Sequence, residues 1–243
     1  MEPAQVALVA VAVFTSAAIQ STTGFGFALL AVPLMAIVIP AEEAVVLAGL
    51  FSLLTSSTQA LTQRAHAVRP VAARMLVGAL VGAPLGLAIL TVTTGRQLRF
   101  FLAAVIFAFL ALTLRGFTLH RAGTAVDLGA GAVAGVLNTS LSTNGPPIVM
   151  ALHARELPPD PFRATIAAVF TGSNVIAVAL FAATGRYDVD SLTLFVVALP
   201  ALGLGYLVGS RFRRRFDAAA FRRLTLWLLG LTGVVTLVGA LLA

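Results

Sequence analysis

Two short polar segments interrupt the long apolar stretches of this chain, about half a chain apart. The first runs from Gln20 to Gly26, and the second runs from Ser140 to Pro147. Non-helical backbone inside a lipid bilayer leaves N–H and C=O groups unpaired, so it is tolerated only where protein or a water-filled cavity surrounds it. Each interruption is therefore predicted to be enclosed by the protein or to line such a cavity.

The composition indicates an integral membrane protein. Hydrophobic residues make up 59% of the 243 residues and charged residues only 10%, and the mean hydropathy is +1.01. A soluble globular chain carries about 25% charged residues. Little of this chain remains outside the apolar runs, which excludes a separate soluble catalytic domain.

Residue types exclude several classes of site. The chain has no cysteine, and its three histidines are scattered, so no metal site and no cofactor are predicted. All 16 basic residues are arginines, and they lie in short connections between apolar runs. That placement is typical of the signal that orients membrane proteins rather than of a nucleic-acid surface. The run from Arg211 to Arg215 is accordingly interpreted as a cytoplasmic flank.

The apolar runs define spans and hairpins. A span needs about 20 apolar residues. As one helix, the interrupted stretch 4–39 would be about 54 Å long, against a bilayer core of about 30 Å. It is predicted to fold back as a hairpin of two shorter helices, or else to tilt and break severely. The same is predicted for the second interrupted stretch, 126–154. The predicted spans are 44–62, 71–92, 99–117, 164–184, 190–210 and 224–242.

The arginines favour hairpins that return to the side of the membrane from which they enter. If each interrupted stretch crossed once, connections 62–74 and 211–223 would lie on opposite sides, against the tendency of basic loops to face the cytoplasm. With returning hairpins, both connections lie inside together with 115–126 and 153–163, and both termini lie outside. Charge leaves open whether each hairpin is re-entrant or two short spans.

The two halves of the chain look like copies. A shift of 121 positions places Gly24 on Gly145 and Pro40 on Pro161. The first repeat, 1–121, and the second, 122–243, would each consist of one hairpin and three spans. Because three is odd, the second repeat enters the membrane inverted, and the hairpin tips can approach each other. The predicted fold is an all-α polytopic membrane protein of two inverted repeats.

The hairpin tips form the candidate site. New helices are predicted to begin near 24–27 and near 146, and a helix start offers free N–H groups and a partial positive charge. The tips therefore resemble two anion cradles; the alternative is that their polar groups merely satisfy the broken backbone. No catalytic residue is predicted. The predicted substrate-binding residues are Gln20, Thr22, Thr23, Gly24, Phe25, Gly26, Asn138, Ser142, Thr143, Asn144, Gly145, Pro146 and Asn174.

Ionisable residues deep in the membrane would mark an ion path, and the sequence shows almost none. Asp127 and Arg155 are placed near segment ends, and Arg74 is predicted to snorkel to the interface. No proton relay is predicted. A negatively polarised cell interior favours the exit of an anion by about 2.3 kcal/mol per charge per 100 mV, so export needs no coupling residue.

Three segments carry a resemblance to a known family: residues 23–34, residues 143–149 and residues 162–165. With them, essentially the whole chain resembles the sulfite exporter TauE/SafE family of membrane proteins, although Asn144 stands where that family often has glycine. The resemblance implies transport, usually export, of small sulfur-containing anions such as sulfite, sulfoacetate and related organosulfonates. It also implies a location in the bacterial inner membrane.

Other functions stay open at this point. An anion channel and a non-transporting membrane subunit of a partner complex both fit the composition. A membrane enzyme is disfavoured because no acid–base or metal constellation is present. The predicted partners are a small anionic substrate and the lipid bilayer, without nucleic acid, and a homodimer is one assembly that the sequence allows.

Overall fold

The chain is all-α in the part that the structure describes. The computed structural model describes residues 2–116, 122–212 and 218–242, and no β-strand occurs among them. This confirms the all-α part of the predicted fold class. The helices are α1 Pro3–Thr23, α2 Phe27–Met35, α3 Ala41–Gln63, α4 Arg69–Val92, α5 Gly95–Leu114, α6 Thr124–Leu141, α7 Gly145–His153, α8 Pro159–Ala183, α9 Val189–Phe212 and α10 Ala218–Leu242.

Local sequence signals explain several helix starts. Helix α1 begins at a proline, which suits a first helical position because its missing N–H would have no intrahelical partner. Helix α5 begins with a capping box, in which Thr94 and Gln97 each bond the other's backbone N–H. Glu42 and Glu43 occupy the first turn of α3, where the helix dipole favours negative charge.

Among the described residues, six helices are long and apolar enough to cross a membrane, namely α1, α3, α4, α5, α8 and α9. Each predicted span overlaps one helix, although α5 ends at Leu114 and so stops short of the predicted span 99–117. In α10 the apolar part within the described residues is the shorter segment Leu226–Leu242. Residues 117–121 and 213–217, which belong to two of the predicted inside connections and to the arginine run, lie outside the described residues.

Each interrupted stretch is a long helix followed by a short one. Helices α1 and α2 form the first hairpin, and α6 and α7 form the second. Helices α2 and α7 contain 9 residues each, which corresponds to about 14 Å at 1.5 Å per residue. The bilayer core is about 30 Å thick, so neither short helix can cross it. A single continuous helix over 4–39 is therefore excluded.

The chain divides into two compact units. The first unit comprises Met1–Phe51, Thr93–Gly116 and Tyr187–Ala243, and therefore contains the first hairpin, α5, α9 and α10. The second unit comprises Ser52–Val92 and Phe117–Arg186, and therefore contains the second hairpin, α4 and α8. Each unit draws segments from both predicted repeats. The repeat boundary at residue 121 stays a prediction about sequence likeness.

Glycines bring helix backbones into direct contact within the first unit. A Cβ atom on Gly205 of α9 would lie 2.2 Å from the carbonyl oxygen of Phe14, and one on Gly209 would lie 2.1 Å from that of Ala18. Any side chain there would overlap the backbone of α1. Small residues of this kind allow close helix contacts in membranes, as the glycine spacing predicts.

The second unit repeats this arrangement between α4 and α6. A Cβ atom on Gly82 would lie 2.0 Å from the carbonyl oxygen of Ala132, and one on Gly86 would lie 2.1 Å from that of Val136. From the side of α6, a Cβ atom on Gly131 would lie 2.1 Å from the carbonyl oxygen of Met75 on α4. The long arm of each hairpin thus lies directly against the backbone of a span.

The two hairpins match at a shift of 118 positions. Helices α1 and α6 end at residues 23 and 141, and α2 and α7 begin at 27 and 145 and end at 35 and 153. The shift of 121 used in the sequence comparison is therefore wrong for the hairpins. It paired Gly24 with Gly145 by residue type, whereas the helix ends pair Gly24 with Ser142. The equal spacing fits an internal repeat, and the inverted orientation stays a prediction.

Candidate functional site

The first tip is a left-handed turn between α1 and α2. Gly24 (φ 88°) donates its backbone N–H to the carbonyl oxygen of Gln20 over 2.7 Å, and Gly26 (φ 95°) precedes α2. Glycine adopts such positive φ angles without the clash that a Cβ atom brings. Apart from the neighbouring residues in the chain, no described atom lies within 4 Å of a Cβ built on either glycine. The backbone at this tip is therefore open to a ligand on that side.

Aromatic contacts and an arginine fix the position of α2. The ring of Phe25 lies edge-on to that of Phe109 on α5, with centroids 6.1 Å apart, and Phe27 contacts Phe51 at 6.2 Å. At the other end of the helix, Nη2 of Arg99 donates to the carbonyl oxygen of Ala36 over 2.8 Å. The first-turn N–H groups of α2, which have no intrahelical partners, are therefore held in one direction.

The hydroxyl groups of the first tip bond to their own chain segment. Thr22 Oγ1 donates to the carbonyl oxygen of Ile19 over 2.6 Å. Thr23 Oγ1 lies 2.9 Å from the same oxygen and 2.7 Å from that of Phe25, and Gln20 is buried and has contacts of its own. For the two threonines the structure agrees with the alternative interpretation, that their hydroxyls satisfy the end of the helix. The donors left for an anion here are main-chain N–H groups.

The second tip uses a non-glycine residue for the same turn. Ser142 has φ 52° and ψ 21°, and its N–H bonds to the carbonyl oxygen of Asn138 over 2.8 Å. Thr143 Oγ1 donates to the carbonyl oxygen of Leu141 over 3.1 Å. A left-handed conformation costs an L-residue about 1–2 kcal/mol, and such strained positions cluster at functional sites. Helix α7 then begins at Gly145, with Pro146 in its first turn.

Asn144 combines burial with the lack of any protein partner. It is 6% exposed, it stands at the N-cap of α7 without making a capping bond, and its Nδ2 atom donates to no atom of the described chain. A buried amide left unsatisfied costs about 1–3 kcal/mol. A donor kept at that cost, beside the first-turn N–H of Gly145, is suited to a bound anion, although Pro146 and Pro147 add no N–H of their own.

Two further asparagines extend the polar region across three helices. Nδ2 of Asn138 donates to the carbonyl oxygen and to Oγ of Ser173 on α8, over 2.9 and 3.0 Å. Nδ2 of Asn174 lies 3.4 Å from Oγ of Ser56 on α3. The Oδ1 atoms of both asparagines are buried without a partner. Each side chain therefore bonds helix to helix and still offers one acceptor.

The structure sorts the predicted site residues into two sets. At the 118 shift the equivalent of Asn174 is Ser56, which it contacts. The first set lies in the first unit and the second set in the second unit. The first set is Gln20, Thr22, Thr23, Gly24, Phe25 and Gly26; the second is Asn138, Ser142, Thr143, Asn144, Gly145, Pro146 and Asn174.

Sequence reasoning missed an ionic cluster in the second unit. Asp127 is fully buried in the first turn of α6 and is bound by two arginines. Arg155 donates from Nε to Oδ1 over 2.9 Å and from Nη2 to Oδ2 over 2.7 Å, and Arg74 donates from Nε to Oδ2 over 2.8 Å. Arg74 therefore does not simply snorkel to the interface. The available signal was that all three residues fall at segment ends assigned to the same membrane side.

Comparison with known proteins agrees with this architecture. The family model described as "Sulfite exporter TauE/SafE" matches residues 8–236, from α1 into α10. A relative from Cupriavidus necator, named a probable sulfite/organosulfonate exporter TauE, is 26% identical over 216 residues, which cover 84% of this chain and 82% of the relative. A probable inner membrane transporter protein TsaS from Comamonas testosteroni is 32% identical over 114 residues, 46% of this chain and 44% of that protein.

No solved structure matches the chain. The family and the two relatives are transporters and not enzymes. The family match spans nearly the whole chain, and the six apolar helices fit a protein that crosses the membrane several times. The chain thus belongs to the sulfite exporter TauE/SafE family.

Proposed function

We propose that this protein is an inner-membrane permease that moves small sulfur-containing anions, namely sulfite, sulfoacetate or a related organosulfonate. It works by alternating access around its two hairpin tips, in the direction of export, with both termini outside the cell. The observation that carries the proposal is the buried, unpartnered Nδ2 of Asn144 at the start of α7. The name of the first relative supports the substrate class, and the name of the second supports the location in the inner membrane.

The second tip has the chemistry that a sulfonate or sulfite group needs. Their oxygens only accept hydrogen bonds when ionised, and the donors here are the amide of Asn144 and the main-chain N–H of Gly145 at the start of α7, because Pro146 and Pro147 have no N–H. None of the tip residues carries a charged side chain. Binding by partial charges is suited to transport, because a solute must bind well enough to enter a site and weakly enough to leave it.

The first tip contributes main-chain donors from the start of α2. Gly24 and Gly26 keep the approach to those groups open. The two tips belong to different units, and their approach to one ligand is part of the proposal. The membrane potential supplies the driving force, since each negative charge that leaves the cell gains about 2.3 kcal/mol per 100 mV.

Efflux from proteoliposomes tests this function. Vesicles that contain the purified protein and radiolabelled sulfoacetate are expected to release it with saturable kinetics. Unlabelled sulfoacetate outside should drive counterflow of the label. Flux that never saturates and shows no counterflow would indicate a channel and contradict the permease. Absence of flux, together with a partner that copurifies reproducibly, would indicate a non-transporting subunit.

Replacing Gly24 by leucine is expected to stop transport while most of the protein still folds. The left-handed backbone there costs a leucine about 1–2 kcal/mol, but open space surrounds the Cβ position. The new side chain would stand in front of the N–H groups of α2. Efflux rates and thermal unfolding of the purified variant measure the two effects. Gly24→Asn serves as the control, because asparagine tolerates this conformation best among non-glycine residues; equal efflux from the leucine variant and the wild type would remove the first tip from the site.

A further inference from the structure

At the base of the second hairpin, where α6 begins and α7 ends, two arginines bond to one buried carboxylate. Arg155 meets both oxygens of Asp127 in a two-pronged contact, which is the strongest common geometry for an arginine–carboxylate pair. That pair is neutral by itself. Arg74, on α4, adds a second guanidinium to the same carboxylate. Taken by themselves, the three residues therefore carry a net charge of +1.

The guanidinium of Arg74 keeps hydrogen-bond donors that Asp127 does not use. Only its Nε atom bonds to Asp127, and its two terminal nitrogens donate to no protein atom in the described part of the chain. Its side chain is 31% exposed, whereas that of Asp127 is completely buried.

Closing such a hairpin does not require charge. The base of the first hairpin is closed by a neutral bond from Nε2 of Gln5 to the carbonyl oxygen of Val38, over 3.2 Å. At the 118 shift, the equivalents of Asp127 and Arg155 in the first hairpin are the apolar Val9 and Ile37. Charges removed from water pay a desolvation penalty, and apolar replacements are often as stable. A structural role alone therefore does not account for a third ion here.

We propose that Arg74, set in place by the Asp127–Arg155 pair, is an anion-binding subsite at the base of the second hairpin. It captures the small oxyanion, a sulfonate or sulfite group, before that anion reaches the tip at Asn144. This inference rests on the proposed function. In the predicted topology, connections 62–74 and 153–163 face the cytoplasm, which is the side from which an exporter takes its substrate.

The test compares Arg74→Gln with Arg69→Gln in efflux measurements at varied internal sulfoacetate. Arg74→Gln leaves the Asp127–Arg155 pair intact, and we expect KM to rise about tenfold, as for the loss of one charge-assisted hydrogen bond, with Vmax unchanged. Arg69 is an exposed arginine five positions earlier on α4, so its replacement removes the same charge and should change KM less than twofold. Arg74→Lys, which keeps the charge, should recover most of the affinity.

Several outcomes would overturn the subsite. Equal KM values for Arg74→Gln and the wild type would do so while leaving the permease function standing. Equal increases in KM for Arg74→Gln and Arg69→Gln would show that the anion is attracted by the general surface charge and not by a site at Arg74. A fall in Vmax at constant KM, with a lowered unfolding temperature that Arg74→Lys does not restore, would indicate a structural role. Absence of saturable wild-type efflux would overturn the function and the subsite together.

Discussion

Replacing Asn144 by alanine is expected to weaken transport at least about tenfold at sub-saturating substrate, without destabilising the protein. A hydrogen bond to a charged group contributes about 1.5–3 kcal/mol, which corresponds to roughly ten- to hundredfold in affinity. In the structure, the Nδ2 atom of Asn144 has no partner. Its removal therefore breaks no bond within the protein and takes away a buried unsatisfied donor, so the unfolding temperature should stay the same or rise.

Weaker transport without a loss of stability distinguishes a residue that binds the ligand from a structural residue, whose loss would lower both. Ser140→Ala is the matched control, because Ser140 is also buried near the tip but donates within its own helix, to the carbonyl oxygen of Val136 over 2.7 Å. Its efflux should match the wild type. If Asn144→Ala transports normally, or if it loses stability and transport in parallel, the second tip is not the substrate site in the way proposed.

Replacing Gly131 by alanine is expected to cause the largest loss of stability. The added Cβ atom would lie 2.1 Å from the carbonyl oxygen of Met75 and 2.9 Å from its Cα atom. These are backbone atoms that cannot rotate away, so α4 and α6 must separate. We expect a cost of about 3 kcal/mol, at the upper end for overpacking a core. Thermal unfolding of the purified protein measures it.

Gly129→Ala provides the comparison within the same helix. No atom lies within 4 Å of a Cβ atom built on Gly129, and alanine is a better helix former than glycine by about 1 kcal/mol. This variant should be as stable as the wild type or more stable. Equal unfolding temperatures for the two alanine variants would mean that α4 and α6 are not in backbone contact as the structure has them.

The positions of the hairpins were predictable because backbone chemistry dictates them. A stretch of apolar residues too long for one span, interrupted by Gly24 and Gly26, must break, and the break falls where a left-handed turn needs glycine. The second break was visible from its serines and prolines. Ser142 nevertheless takes the left-handed position that glycine holds in the first hairpin, which is why pairing glycines by type gave a shift three residues too large.

Side-chain partners were not predictable from the sequence. Whether Thr22 and Thr23 face a ligand or bond to their own helix depends on rotamers, and the structure shows the second arrangement. The burial of Asp127 depends on which helix covers the first turn of α6. Two arginines from segments distant in sequence meet this carboxylate, and only the predicted membrane side of each segment hinted at the contact.

Cross-linking between the two hairpin tips tests whether both of them contact one substrate. The chain has no cysteine, so Thr22→Cys and Ser142→Cys can be introduced together without background and treated with a thiol reagent of the shortest spacer. We expect an intramolecular cross-link that saturating sulfoacetate suppresses, because both tips contact one substrate. If each single cysteine reacts with the reagent but the double variant forms no cross-link, with or without sulfoacetate, the two tips do not share a substrate.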